Sequence, residues 1–186
     1  MVMRLWKKAV KMSTREKRMF TVFTLMYTVL IFWTSYSLEL AFKADAGAQG
    51  FGSTSFLIAL GASIFLTLLY AWIIVARNRR TWATLKCIGY TNGNINSIIL
   101  GHVFFTTLVG FIITIETLFH YIAIVGYLQA ANTQIPYYVA DLPIISLLPV
   151  IITVGVFSVV QFFGYFLASS KITKVRPMLA LKRVGE

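Results

Sequence analysis

Charge is what this sequence has least of. Only 12% of its 186 residues are Asp, Glu, Lys or Arg, about half of the roughly 25% usual in a soluble domain. So small a supply excludes an ordinary soluble domain, because a surface this apolar would aggregate in water. One cysteine, Cys87, excludes an internal disulfide. Two histidines and one cysteine, far apart in the chain, give no metal-ligand spacing. No Gly-Lys-Ser/Thr loop is present, so the chain does not cradle a nucleotide phosphate in that way. Serine, histidine and aspartate occur, but nothing in their spacing assembles a nucleophilic triad.

What is abundant is apolar surface: 58% of residues are hydrophobic and the mean hydropathy is +0.78. It is gathered into four runs, residues 19–40, 54–76, 95–128 and 142–170. The first is free of charge to residue 38, the second and fourth throughout, and the third holds one carboxylate, Glu116. About 20 apolar residues cross the roughly 30 Å hydrocarbon core. Backbone groups in lipid must be satisfied within their own segment, which demands helices. The runs are continuous rather than alternating, unlike barrel strands. The expected fold is an all-α membrane protein with four transmembrane helices, an amphipathic segment at 1–18 and a four-helix domain at 19–186.

Lys and Arg set the orientation. Seven precede the first run, one lies between the first and second, four between the second and third, none between the third and fourth, and five follow the fourth. Sixteen of the 17 therefore fall on one side, which the positive-inside rule makes the cytoplasm. Both ends are expected inside, in a multi-pass protein of the cell (inner or plasma) membrane. The net charge of +11 reads as topology and attraction to anionic lipid, not as a nucleic-acid footprint. With 18 residues before it and about 20 apolar residues in it, the first run exceeds a signal peptide's usual 7–15, so it is expected to stay uncleaved.

Within the first 18 residues, Val2, Leu5, Trp6, Ala9 and Val10 recur at helical spacing opposite Arg4, Lys7, Lys8 and Lys11. This is the pattern of a helix lying in the interface plane. Ser13 and Glu16 read as a capping box, so a new helix is expected to start there. The interval 42–53, rich in glycine and small residues, reads as a short flexible outer loop. The third run, about 51 Å if wholly helical, should tilt or protrude. Pro143 suits a first helical turn, and Pro149 is expected to kink the fourth helix.

Two features remain to carry chemistry. Glu116 and His120 share a helix face as an intramembrane polar pair. An ionisable residue in a span is a functional candidate. Counted from residue 95, Glu116 lies about 30 Å along the helix, near the outer interface, where such a pair costs little. The second feature is the cytosolic segment Arg79-Arg80-Thr81-Trp82-Ala83-Thr84-Leu85-Lys86-Cys87-Ile88-Gly89-Tyr90-Thr91-Asn92-Gly93. Trp82, Leu85 and Ile88 recur every three residues, which predicts a short amphipathic helix. Gly89 suits the left-handed position that ends a helix, and Asn92-Gly93 reads as a turn. A basic helix with an apolar stripe, exposed between two spans, is a handle that a soluble partner can grip. The reduced thiol of Cys87 is expected here as a small packing residue.

This run, RRTWATLKCIGYTN, resembles the loop of FtsX-like ABC transporter permeases (the MacB, DevC and Lol type), in which RREIATLKALGAT precedes a hydrophobic span. The basic ending around Pro177, Ala180, Leu181 and Lys182 is similar to the family's ending, and the order of spans agrees. Members usually carry an acidic residue where this chain has Thr81 and a branched aliphatic where it has Trp82. They also usually hold a large extracytoplasmic domain between the first two spans, where this chain has about a dozen residues. The resemblance implies a permease subunit that works with an ABC ATPase and a second permease subunit, the same or different. It has no cofactor of its own, ATP and Mg being held by the ATPase, and an extracytoplasmic or accessory subunit would replace the missing domain. Arg79, Arg80, Trp82, Leu85, Lys86, Ile88 and Gly89 would form the coupling helix. The implied work is mechanical export or extraction of a lipid, lipoprotein or peptide-like substrate, without catalysis by this chain. Two other classes fit the residues: a tetraspan scaffold or regulatory subunit, and a small ion or proton transporter using Glu116.

Overall fold

A computed structural model describes residues 2–42, 46–130 and 144–172. They form six helices and no strand: α1 (Val2–Arg15), α2 (Lys17–Phe42), α3 (Ala46–Arg77), α4 (Arg79–Cys87), α5 (Asn92–Ala130) and α6 (Leu147–Ile172). α2, α3 from Gln49 onward, and α5 are long and apolar enough to cross a membrane. α6 is 26 residues long, with a shorter apolar stretch at Leu147–Phe163.

The described residues pack as two units, with divisions inside the four long helices. The first comprises Met1–Phe23, Ile64–Thr107 and Val159–Glu186. Its core is aromatic and aliphatic. Phe23 stacks on Tyr70 with centroids 4.1 Å apart, Phe20 stacks on Phe105, and Ile74, Trp82, Ile95, Ile98, Ile99 and Val103 are buried. Hydroxyls and an amide knit the same interior. The Tyr70 and Thr106 hydroxyls lie 2.8 Å apart, and Gln161 Nε2 donates to Thr107 Oγ1. α1 docks here: Trp6 meets Phe104 edge-on at 5.7 Å, and a side chain on Gly101 would begin 3.0 Å from Ala9 Cβ.

The second unit comprises Thr24–Ser63 and Leu108–Ser158. Ser55 binds α3 to α2 twice: Trp33 Nε1 donates to its Oγ at 2.9 Å, and Ser37 Oγ lies 3.0 Å away. Ser35 Oγ donates to Thr153 Oγ1 at 3.3 Å. Glu39 Oε2 accepts from both the N–H and the Oγ of Ser146, each at 2.8 Å, just before α6. Phe32 meets Tyr121, and Phe111 meets Phe157, both edge-on.

Beside these apolar contacts, both units bury many hydroxyls and leave many large apolar side chains outside. Thr34, Ser35, Ser63, Thr67, Thr106 and Thr153 are fully buried, whereas Leu57, Ile58, Phe65, Phe119, Phe163 and Phe166 are mostly exposed. Water would drive such side chains inward. In lipid, apolar surface gains little by burial, so small and hydroxylated residues take the helix contacts and large apolar ones face the bilayer.

Several local expectations are corrected. α1 does not stop at Ser13 but continues to Arg15, because Ala9 and Ser13 lie on one face and are both fully buried. The Glu16 N–H donates to the Ser13 carbonyl at 3.2 Å, Ser13 Oγ caps nothing, and the break falls at Glu16. The described part of the interval 42–53, expected as a flexible loop, is helical, since α3 begins at Ala46, and an added Cβ on Gly52 would meet the backbone of α2. Pro149 is the third residue of α6, where a missing N–H breaks no helical bond and no kink is needed. Asn92 and Gly93 are the first turn of α5. Thr91 caps it, accepting the Asn94 N–H on Oγ1 at 3.3 Å. Pro143 and the tail residues Pro177, Ala180, Leu181 and Lys182 lie outside the described residues.

Candidate functional site

α4 is nine residues long and falls within the first unit. Its end is built by backbone geometry. Gly89 has φ +98°, the Tyr90 N–H donates to the Leu85 carbonyl at 3.0 Å, and the Gly89 N–H donates to the Lys86 carbonyl at 3.1 Å. These two bonds are a Schellman motif, with glycine at the left-handed position as its spacing predicts. Replacing Gly89 by alanine meets open space but forces a side-chain residue into the left-handed region, at about 1–2 kcal/mol. We expect a lower thermal midpoint for Gly89→Ala and little change for Gly93→Ala, which sits inside a helix. Differential scanning fluorimetry in detergent would read both.

The faces of α4 divide differently from the predicted stripe. Trp82 is 1% exposed, Ala83 is buried, Ile88 is 69% exposed, and Leu85 and Lys86 are intermediate. A step of three residues turns a helix by 300°, so each repeat drifts by 60° and Trp82 and Ile88 end about 120° apart. Trp82 is therefore the anchor that holds α4 to its own unit. The outward surface carries Arg80, Thr84, Cys87, Ile88 and Gly89. Cys87 is a free, exposed thiol rather than a packing residue. Arg79 opens the helix, and its side chain lies outside the described ones.

A contact that sequence reasoning missed joins α1 to this segment. Lys8 Nζ donates to the Tyr90 hydroxyl and lies 4.6 Å from the ring centroid, an arrangement with cation–π character. Both residues stood in the sequence as ordinary members of a basic face and a loop. No local pattern pairs positions 82 residues apart.

Glu116 and His120 belong to the second unit. The structure brings them together: His120 Nδ1 is 3.7 Å from Glu116 Oε1, with the side chains 70% and 72% exposed. The same nitrogen lies 2.9 Å from the Glu116 carbonyl oxygen. This unit also holds an open groove of about 440 Å³ between α2 and α3, lined almost wholly by apolar atoms, among them Val29, Trp33, Phe51 and Ile58. Among the described residues, no three His, Cys, Asp or Glu side chains gather as a metal site.

Long apolar helices that bury hydroxyls and turn many large apolar side chains outward, as the described residues do, mark a membrane-embedded protein. The family described as FtsX-like permease C-terminal matches residues 53–177, two thirds of the chain, and the chain belongs to that family. Its members are membrane transporter subunits rather than catalysts and typically work with an ABC ATPase. Comparison with curated proteins and with solved structures finds no match.

Proposed function

We propose that this chain is the permease subunit of an ABC transporter of the mechanotransmission type. α2, α3, α5 and α6 cross the cell membrane with both ends in the cytoplasm, and α4 is the coupling helix that seats in a partner ATPase. The observation that carries this reading is the division of α4: a buried anchor at Trp82 on one side, and Arg80 and the mostly exposed Ile88 on the other. A helix built this way transmits a push from its outer face to the unit that holds it. Lys8 on Tyr90 extends the grip to α1. The matched family and its ATPase partners supply the second support. The apolar groove between α2 and α3 offers nothing to hold a polar solute and suits a lipid or lipid-linked substrate.

The test is capture of an ATPase. Purified from its own membranes, the chain should bring down an ABC ATPase. Ile88→Asp with Arg80→Glu should reduce that capture at least about tenfold, the scale of losing one central interface contact, with the melting curve unchanged. If no ATPase accompanies the unaltered chain, the reading fails. One observation favours a second reading, a non-transporting tetraspan scaffold. α2 and α3 are joined by residues 43–45 alone, leaving no room for an outer domain. A scaffold would hold its partners regardless of nucleotide, whereas a coupling helix changes ATPase turnover.

A further inference from the structure

The cations of α1 are arranged against the stability of their own helix. Lys8, Lys11 and Arg15, spaced three and four apart, form one stripe, and Lys7 lies one turn before Lys11. All four are exposed, whereas Ala9 and Ser13 on the far side are fully buried. Lys7 with Lys11, and Lys11 with Arg15, are like charges at i,i+4, a pairing that destabilises a helix. Of the six Asp and Glu in the chain, the first unit holds Glu16 and Glu186. Glu16 has its Oε2 buried, and Glu186 lies outside the described residues. Among the described residues, no carboxylate pairs with Lys7, Lys8, Lys11 or Arg15.

Lys8 ties this stripe to α4. Its Nζ donates to the Tyr90 hydroxyl and stands over the Tyr90 ring. An ammonium carries three donors, so Lys8 can keep Tyr90 and still donate to an anion, in a charge-assisted bond stronger than the one to the phenol. Tyr90 in turn closes α4, since its N–H donates to the Leu85 carbonyl at 3.0 Å. Stripe, tyrosine and α4 all belong to the first unit.

Uncompensated charge of this kind fits an anionic surface, and its place in the chain says which. Lys17 and Arg18, both exposed, open α2 directly before the charge-free run 19–38. Basic residues there sit among headgroups, and phosphate is the anion always present at that depth. We propose that the stripe of α1 is a site for anionic phospholipid headgroups, and that its occupancy steadies the end of α4 through Lys8 and Tyr90. A headgroup phosphate accepting from Lys8 and Lys11 cancels the repulsion within α1, fixes the helix and holds Lys8 on Tyr90. In an anionic leaflet α4 is braced at Trp82 and at Tyr90; in a neutral one it is braced at Trp82 alone. The proposal deepens the permease reading, on which it rests for what a braced α4 does: lipid composition sets how firmly a push on α4 is transmitted.

Amide hydrogen exchange of the full chain in bilayer discs tests it without an ATPase. Discs of phosphatidylcholine alone are compared with discs in which about one third is phosphatidylglycerol. Exchange in α1 and in the stretch 85–91 should slow together in the anionic discs, at least about fivefold, the share of one basic residue at a charged surface. About 1 M salt, where the Debye length is roughly 3 Å, should remove most of the difference. Lys7→Gln, Lys11→Gln and Arg15→Gln combined should abolish the response in both stretches. Tyr90→Leu keeps an apolar side chain where a Schellman ending favours one but removes the hydroxyl and the ring. In that variant α1 should still respond to the anionic lipid and 85–91 should not. Equal exchange in the two discs, an undiminished response in the triple variant, or a response at 85–91 that survives Tyr90→Leu would overturn the proposal. So would a basic face that serves a protein instead, with the triple variant losing ATPase capture and lipid changing nothing. Capture without a lipid response defeats this proposal alone, and a lipid response without capture defeats the permease reading alone.

Discussion

Gly52→Ala should be among the most damaging single-methyl additions this chain can receive. A Cβ at that position would stand 2.4 Å from the Ala41 amide nitrogen, 2.7 Å from the Leu40 carbonyl carbon and 2.8 Å from the Ser37 carbonyl oxygen. Every obstacle is backbone, so no rotamer change relieves the contact and the two helices must part. Parting also lengthens the bonds that Ser55 makes with Ser37 and Trp33, because Ser55 lies one turn along α3 from Gly52. Overpacking costs about 1–3 kcal/mol, and each weakened hydrogen bond adds up to about 1 kcal/mol. We expect a loss of roughly 3 kcal/mol, or more than a hundredfold in the folding equilibrium, and a still larger loss for Gly52→Leu. Gly50 and Gly61 lie on the same helix with nothing within 4 Å of an added Cβ. There alanine should be neutral or stabilising by up to about 1 kcal/mol through helix propensity. Thermal unfolding in detergent, followed by tryptophan fluorescence, compares all three. Equal melting of Gly52→Ala and Gly61→Ala would refute the argument.

How much of this was legible in the sequence depended on the range of the interaction. The long helices were legible because continuous apolar runs leave lipid-compatible backbone few choices. The end of α4 was legible because Gly89 solves a local steric problem set by its own neighbours. Helix starts were less so. Ser13 and Glu16 have the spacing of a capping box, yet the burial of Ala9 and Ser13 against another helix prolongs α1, and tertiary packing outweighs a cap worth about 1 kcal/mol. The glycines at 47, 50 and 52 read as a loop when taken alone, because glycine lowers helix propensity. In membranes the same residue permits close helix contact, and Gly52 uses that. The apolar stripe of α4 misled for a geometric reason: equal steps of three are not one face. Lys8 on Tyr90 and Thr28 beside Thr114 join positions more than 80 residues apart, and no periodicity within either segment encodes them.

Trp82→Ala should show whether α4 is a lever or an appendage. Trp82 is the largest fully buried side chain among the described residues, and truncating a buried aromatic residue costs roughly 3–5 kcal/mol. Most of that loss should fall on the docking of α4. Its exposed residues Arg80 and Ile88 would remain available, and the Schellman bonds at Gly89 are made within its own segment. The expected phenotype is therefore a split one. The variant still binds an ATPase through the outer face of α4, but the ATPase loses its response to the permease, because a push on α4 no longer reaches the unit that Trp82 anchored. Trp82→Phe separates packing from hydrogen bonding. Trp82 Nε1 has no partner among the described residues, so phenylalanine gives up no hydrogen bond and removes a buried donor that itself costs about 1–3 kcal/mol. That gain offsets much of the lost ring area. Trp82→Phe should melt within about 1 kcal/mol of the parent and keep full coupling. Thermal melts of the three proteins, with ATPase turnover measured in reconstituted complexes, decide the matter. Coupling retained in Trp82→Ala would mean that α4 transmits force without its anchor, and the lever account of this permease would have to be abandoned.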